Sequence, residues 1–318
     1  MGLTIGVDIG GTKIAAGVVD DEGTLLATTR RDTAATDPEQ IEVQVEDAVA
    51  ELRVAHQIEA VGVAAAGFVN SAKGIVLFAP NLAWRDEPLG GDLQLRLGLP
   101  VVVENDANAA AWGEFRFGAA KHVDDMVLLT VGTGLGGGIV SDSQLLRGAS
   151  GLGAELGHVR VVPNGIRCGC GNRGCWEQYS SGSALEREAR ELVVSGSLYA
   201  ARLLELCEGK PKRLRGKMVT QAAHEGDPAS VELIGDLGRW LGEGMASMAA
   251  VLDPSAFVVG GGVVEAGDLL IEPARTALRR NLPARGHRPD IEVTAASLGN
   301  QAGMIGVADL ARLGLGPS

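Results

Sequence analysis

Glu104, Asn105 and Asp106 stand in a row between three β-branched residues, Val101-Val102-Val103, and the run Ala107-Asn108-Ala109-Ala110-Ala111. The valines predict a short buried strand and the alanines the first turns of a helix. A carboxylate at such a junction lies where open α/β sheets bind ligands, outside the carboxyl ends of their strands. Asp106 can meet a ligand there, or it can simply cap the helix.

Two glycine turns carry a second kind of chemistry. Asp8-Ile9-Gly10-Gly11-Thr12-Lys13 follows one apolar strand, and Gly132-Thr133-Gly134-Leu135-Gly136-Gly137-Gly138 follows another. Spaced glycines suggest a dinucleotide fingerprint, but that pattern needs a helix after it, and here a strand follows. No Gly-Lys-Ser/Thr of a phosphate-binding loop occurs either. What remains is a pair of hairpin turns with bare backbone amides and a hydroxyl each, Thr12 and Thr133, suited to holding phosphate oxygens. Lys13 would add positive charge if its strand points it that way. Asp8, at a strand end, is placed to hold a metal-bound water. The plainer alternative is that the glycines only make tight turns and Asp8 is a solvated strand-end acid.

A third cluster is more specific. Cys168, Cys170 and Cys175 offer three thiolates within eight residues, and His158 stands ten residues upstream. Three sulfurs and an imidazole are a closed tetrahedral zinc set. An exposed histidine beside reactive thiols is the alternative. Glu155 and Glu177 flank the set and can accept hydrogen bonds from ligand hydroxyls, or lie on the surface as ordinary acids. Cys207, in an apolar helical stretch, reads as a buried structural thiol.

These residues need elements to place them. Leu3 to Asp8, Ile14 to Val19 and Thr24 to Thr29 predict an antiparallel meander. Asp37-Pro38 opens a helix with Ile41, Val45, Ala48, Leu52 and Ala55 on one face. A buried strand over Ile58 to Ala66 ends at Gly67, and an irregular stretch with Asn81 and Trp84 precedes a helix from about Leu89. The strand, glycine turn, strand, turn, strand order recurs from Met126 to Leu146, which points to a structural duplication. Helical spacing covers Ala184 to Val194, Leu198 to Cys207, Met218 to His224, Pro228 to Leu252, Asp268 to Asn281 and Gln301 to Leu313. Strands fall at Ala256 to Val259, running into Gly260-Gly261-Gly262, and at Ile291 to Val293. The expectation is an α/β chain of two βββ-plus-helices domains flanking a cleft. The smaller is residues 1–112 plus about 301–318, and the larger is 113–300 with the zinc loop.

The chain of 318 residues is ample for this, and its 46 glycines are clustered in turns, so low complexity does not explain them. A net charge of −12 without any long basic run argues against nucleic acid as a partner. No apolar run reaches about 18 residues, and the start, Met1-Gly2-Leu3-Thr4, lacks a basic region and cleavage site, so no membrane is expected and a cytoplasmic location is.

Taken together, Asp8-Ile9-Gly10-Gly11-Thr12-Lys13, Glu104-Asn105-Asp106-Ala107-Asn108, Gly132-Thr133-Gly134, Glu155-Leu156-Gly157-His158 and Cys168-x-Cys170-Gly171-x-x-Gly174-Cys175-x-Glu177 closely resemble the ROK family (repressor, open reading frame, kinase), in particular its bacterial glucokinases. The segments keep the family's order over most of the chain. The resemblance implies an actin-like ATPase (ribonuclease H-like) fold and an ATP-dependent hexose kinase that turns glucose and ATP into glucose 6-phosphate and ADP, with Mg²⁺ on the phosphates and a structural Zn²⁺. It implies Asp106 as catalytic base, with Asn105, Glu155, His158 and Glu177, and further Gly67 and Asn81, around the sugar. His158 would then use one ring nitrogen for zinc and the other for sugar. Asp8, Gly10, Gly11, Thr12, Lys13, Thr133 and Gly134 would surround the phosphates, and Gly261 and Gly262 would border the adenosine. A homodimer or dimer of dimers is expected by the same likeness. The chain departs from the family at Ala66, where a proline is common before the glycine, which weakens the carry-over at Gly67. N-acetylmannosamine, fructose, mannose and allose kinases share these motifs, as do polyphosphate-dependent enzymes. Family repressors carry an N-terminal helix-turn-helix, for which a strand starting at Leu3 leaves no room. An actin-like ATPase switch would not need the sugar-facing cluster.

Overall fold

Three antiparallel strands begin the chain, β1 (Leu3–Ile9), β2 (Lys13–Val19) and β3 (Leu25–Asp32), in a computed structural model that describes residues 2–315. Then come α1 (Pro38–Arg53), β4 (Ile58–Ala65), β5 (Phe68–Asn70), β6 (Ile75–Phe78), β7 (Arg85–Glu87), α2 (Leu89–Leu97), β8 (Val101–Asn105) and α3 (Asp106–Arg116). A second meander follows: β9 (Met126–Val131), β10 (Leu135–Ser141) and β11 (Gln144–Leu145). The remainder is α4 (Gly182–Val194), α5 (Ala201–Leu206), α6 (Gly216–His224), α7 (Pro228–Leu252), β12 (Ala256–Gly260), α8 (Asp268–Asn281), β13 (Glu292–Ala295) and α9 (Ala302–Gly314).

Two sheets carry the same topology. The first runs β3-β2-β1-β4-β8 and the second β11-β10-β9-β12-β13, each an antiparallel meander extended by two parallel strands. The duplication expected from the repeated glycine turns is therefore real at the level of strand order. Two compact units divide the chain. Unit 1 is Met1–Asp124, Gly138–Ala154 and Ser297–Ser318; unit 2 is Asp125–Gly137 and Glu155–Ala296. Unit 1 thus takes in 113–124, 138–154 and 297–300 as well as the 1–112 and about 301–318 expected for it; residue 1 and residues 316–318 lie outside the described residues.

In unit 1 the alternation along the strands sorts two layers. Ile5, Val7, Ile9, Val61, Val63 and Val103 point into a core closed by Ile41, Val45, Ala48 and Leu52 of α1 and Leu89 and Leu93 of α2. The opposite face receives α3 and α9: Ala64, Ala109 and Val307 form one cluster. Helix α9 comes so close that a Cβ on Gly6 would strike the Met304 carbonyl, and one on Gly62 the Val307 carbonyl. Buried Arg312 of α9 then donates to Thr4 Oγ1 (2.9 Å) and the carbonyls of Val19 (2.9 Å) and Asp20 (2.8 Å), and to Asp309 (3.0 Å). In unit 2 the parallel strands β9 and β12 are apolar almost throughout, as strands covered on both faces must be. Helix α8 packs on α7 through Gly238 and Gly242, where added Cβ atoms would meet the Leu270 and Ala274 carbonyls.

The structure differs from the sequence reading in several places. Ala55 lies beyond α1 and is exposed. The irregular stretch after Gly67 contains a small sheet, β5-β6-β7, of strands too short to show a period. Gly136, Gly137 and Gly138 are strand rather than turn. For the last two the reason is close approach: a Cβ on Gly137 would lie 2.7 Å from Leu156 Cδ1, and one on Gly138 would strike Ala111 Cβ. Residues 198–200 form a 3₁₀ turn ahead of α5, and 299–301 another ahead of α9. No helix among the described residues is long and apolar enough to cross a membrane.

Candidate active site

The carboxyl ends of β1, β4 and β8 align in register: Asp8, Ala64 and Glu104 form one row, Ile9, Ala65 and Asn105 the next. The chain leaves β8 directly into α3, and the cap of that helix is Asn105, not Asp106. Asn105 keeps extended backbone and its Oδ1 accepts from Asn108 N at 3.0 Å. Asp106 is the first helical residue, and its Oδ1 accepts from Ala107 N at 2.9 Å. The capping role open to Asp106 on sequence therefore passes to its neighbour.

Asn105 is also tied sideways, its Nδ2 donating to the Gly67 carbonyl at 3.0 Å. Gly67 has φ of 147°, and a Cβ there would lie 2.5 Å from the Phe78 carbonyl, so only glycine fits between β4 and β5. Glu104 is fully buried beneath this corner. Its Oε1 accepts from Ser71 Oγ (2.9 Å), Asn105 N (3.0 Å) and Asn108 Nδ2 (3.1 Å), and its Oε2 from Arg147 Nε (2.6 Å).

Asp8 and Asp106 act on each other electrostatically. Burial, with the Asp106 charge adding to it, pushes the Asp8 carboxyl up to about 6. Burial also raises Asp106, against the lowering effect of the Ala107 and Asp106 backbone N–H groups. Two crowded carboxylates whose ionisation is resisted are a place where a cation would be welcome. The neighbouring turn is braced by Thr33, whose Oγ1 donates to Gly10 O at 2.8 Å and whose N donates to Thr12 O at 3.1 Å. Gly10 N donates to Lys13 O at 3.0 Å, closing the loop. Thr12 and Lys13 are exposed, and Lys13 stands opposite Asp32 in the β2–β3 register. Asn81, also exposed, lies against Gly11, where an added Cβ would be 3.1 Å from its own.

Unit 2 has a matching turn after β9. Gly132 N donates to Gly134 O at 3.0 Å, and the start of α4 supports the turn from behind: Gly182 N reaches Gly132 O at 2.7 Å and Ser183 N reaches Thr133 O at 3.3 Å. Gly261, with φ of 87°, sits so near the end of β9 that a Cβ would be 2.5 Å from the Val131 carbonyl. Thr133, Gly134, Gly261 and the adjoining Gly262 are thus neighbours, with Thr133, Gly261 and Gly262 exposed.

The donor atoms of His158, Cys168, Cys170 and Cys175 lie within 4.8 Å of one another. Cys168 Sγ is 3.7 Å from His158 Nδ1, and Cys170 Sγ is 3.6 Å from Cys175 Sγ. A tetrahedral site with metal–sulfur bonds of about 2.3 Å has edges of about 3.8 Å, so the four fit one metal ion. Burial pushes the Cys168 thiol up to about 12, and a bound cation would displace that proton. His158 ends a 3₁₀ turn begun after Glu155, its N donating to Glu155 O at 3.0 Å. Glu177 connects the cluster to the glycine turn: Oε1 accepts from Cys168 Sγ at 3.4 Å, Oε2 from Leu135 N at 3.4 Å, and a Cβ on Gly134 would collide with it.

Sequence reasoning missed Ser71, Arg147 and Thr33, the groups that brace the unit 1 corner. Thr33 stands across β2 and β3 from the turn it holds, and Arg147 reaches Glu104 across 43 residues. No local pattern announces either.

The profile of the ROK family matches residues 4–313. Glucokinase of Streptomyces coelicolor is 52% identical over 312 residues, covering 98% of both chains. Glucokinase of Thermotoga maritima is 35% identical, again over 98% of both. The crystal structure of a ROK family glucokinase from Streptomyces griseus in complex with glucose and AMPPNP superposes with a TM-score of 0.88 at 53% identity, covering 98% of this chain and 100% of that one.

Proposed function

The chain belongs to the ROK family, and from that premise we propose that it is an ATP-dependent glucokinase whose general base is Asp106. The fold is the α/β sugar-kinase fold of the family. The observation that carries the base assignment is the Asp106 carboxylate at the β8–α3 junction, one oxygen held by Ala107 N and its charge resisted by burial. A carboxylate so placed accepts a proton more readily than a solvated one.

In this reading the 6-hydroxyl oxygen of glucose attacks the γ-phosphorus of ATP. Its proton passes to Asp106, the bond between γ-phosphorus and the bridging oxygen breaks, and ADP leaves with that electron pair. Little covalent work falls to the protein; it positions the hydroxyl and stabilises charge. Asn105, fixed by its bonds to Gly67 and Asn108, retains one amide hydrogen for a sugar oxygen. Gly10, Gly11, Thr12, Thr133 and Gly134 would offer amides and hydroxyls to phosphate oxygens, and Gly261 and Gly262 would border the adenosine. Lys13 and Asn81 flank the unit 1 turn. Mg²⁺, when bound, neutralises the phosphates, and Asp8 is the residue that would hold it through a water. Cys168, Cys170, Cys175 and His158 would hold a structural Zn²⁺, with the histidine's Nδ1 the ring nitrogen that faces Cys168 Sγ at 3.7 Å. Such an ion would pin the segment from His158 to Cys175, which Glu155 and Glu177 flank, and would leave His158 Nε2 for the sugar.

A panel of hexoses crossed with ATP and polyphosphate, read as kcat/KM, tests this. Glucose with ATP should lead. Preference for N-acetylmannosamine, fructose, mannose or allose, or for polyphosphate, would overturn the substrate assignment, and no phosphorylation of any hexose would overturn the kinase.

A further inference from the structure

We propose that Glu104 is a positioning residue for the sugar half of the site, a buried carboxylate that fastens two loops to the strand end bearing Asn105 and Asp106. This rests on the sugar-kinase reading above. Glu104 has no exposure to solvent. Its four donors come from three separate segments. Asn105 N and Asn108 Nδ2 belong to the β8–α3 junction, Ser71 Oγ to the loop after Gly67, and Arg147 Nε to the segment 147–154 that leads to Glu155. None of the four belongs to a group assigned to phosphate. The two loops also pack on each other. Gly151, with φ of 83°, lies where a Cβ would be 2.6 Å from the Val69 carbonyl and 3.0 Å from Asn70 Cα, and Gly153 N donates to Arg147 O at 2.9 Å.

The chemistry requires a charged acceptor. An ionised carboxylate accepts at both oxygens and donates from neither, as the converging donors, three on Oε1 and one on Oε2, require. A glutamine of the same shape must turn its amide N–H₂ toward one side. Facing Arg147, it opposes donor to donor and frees the 147–154 segment. Facing the other side, it leaves Ser71, Asn105 and Asn108 unsatisfied, three losses rather than one. Glu104→Gln should therefore settle with Arg147 released, and Arg147→Met should release the same segment from the other end.

The phosphate turn of unit 1 is braced independently, by Thr33 on Gly10 and Thr12. Loosening Glu104 should then disturb sugar binding and spare the nucleotide. A merely structural carboxylate would lower stability without separating the two substrates.

The experiment compares full-length wild type, Glu104→Gln, Arg147→Met and the double variant, each checked for its melting temperature and metal content. Hydrogen bonds to charged groups are worth enough to raise the KM for glucose roughly ten- to hundredfold in each single variant. KM for ATP should stay within about twofold of wild type, since its contacts are untouched. The double variant should be no worse than the worse single, because both break one interaction. Arg147 is 36% exposed, so Arg147→Met carries the test if Glu104→Gln does not fold. An unchanged KM for glucose in folded Arg147→Met, equal rises for both substrates, or additive losses in the double variant would each overturn the inference alone. A wild type that phosphorylates no hexose would overturn the kinase reading and the inference with it.

Discussion

Replacing Asp8 by asparagine should stabilise the folded chain at neutral pH while abolishing activity. Asp8 is partly buried at the end of β1 beside Asp106, and its carboxyl is raised from 3.8 to about 6. Below pH 3.8 it is protonated both folded and unfolded and contributes no pH dependence. Between 3.8 and about 6 the unfolded chain releases the proton and the folded chain keeps it, so stability falls as pH rises. Above about 6 the loss is complete. The difference of 2.2 (6 − 3.8), at 1.36 kcal/mol per unit, sets it at about 3 kcal/mol. An asparagine side chain matches the neutral acid in shape and has no such loss. The Asp8→Asn substitution should thus raise the guanidinium midpoint at pH 7.5 and leave it unchanged near pH 3.5, with other titrating groups cancelling between the two proteins. Adding Mg²⁺ and ATP should narrow the gap, since the cation relieves the carboxylate in wild type only. Equal midpoint differences at both pH values would refute the electrostatic account of Asp8. By the same titration, wild-type kcat/KM should fall as pH drops below about 6, where Asp8 takes up its proton.

Metal analysis of the intact protein should find one zinc per chain. Cys170→Ser should lose it together with several kcal/mol of unit 2 stability, as structural zinc sites typically contribute; a zinc-free native protein would remove the assignment. Gly67→Ala must hold φ near 147° and move the Phe78 carbonyl away from 2.5 Å, so it should cost upwards of about 1 kcal/mol and raise the KM for glucose more than that for ATP. A normal KM for glucose in that variant would show that the Gly67 loop does not shape the sugar site.

The parts of the fold that were legible were those coded locally. The meanders, the Asp37-Pro38 helix start and the cysteine cluster each declare themselves within a short stretch of chain, and the two glycine turns exposed the duplication. Strands β5, β6 and β7 hold three or four residues each, too few for a period of two to register. The glycines of β10 read as a turn because their cause, crowding by Leu156 and Ala111, lies elsewhere in the chain. Asn105 and Asp106 are both good caps, and only the extended backbone at Asn105 decides between them. Glu104 was silent for the same physical reason: its meaning is in Ser71 and Arg147, which only folding brings to it. Glu177 stands beside the cysteines in sequence, but its hydrogen bond from Leu135 N joins residues 42 apart and follows from no local pattern.

The central assignment, Asp106 as general base, is tested most directly by Asp106→Asn, measured for turnover with glucose and ATP and for glucose affinity by calorimetry. The amide keeps the shape and the Ala107 hydrogen bond but cannot take the proton. Turnover should fall by about 10²–10⁴, the usual contribution of a positioned general base, while glucose still binds. Turnover close to wild type in that variant would contradict the assignment.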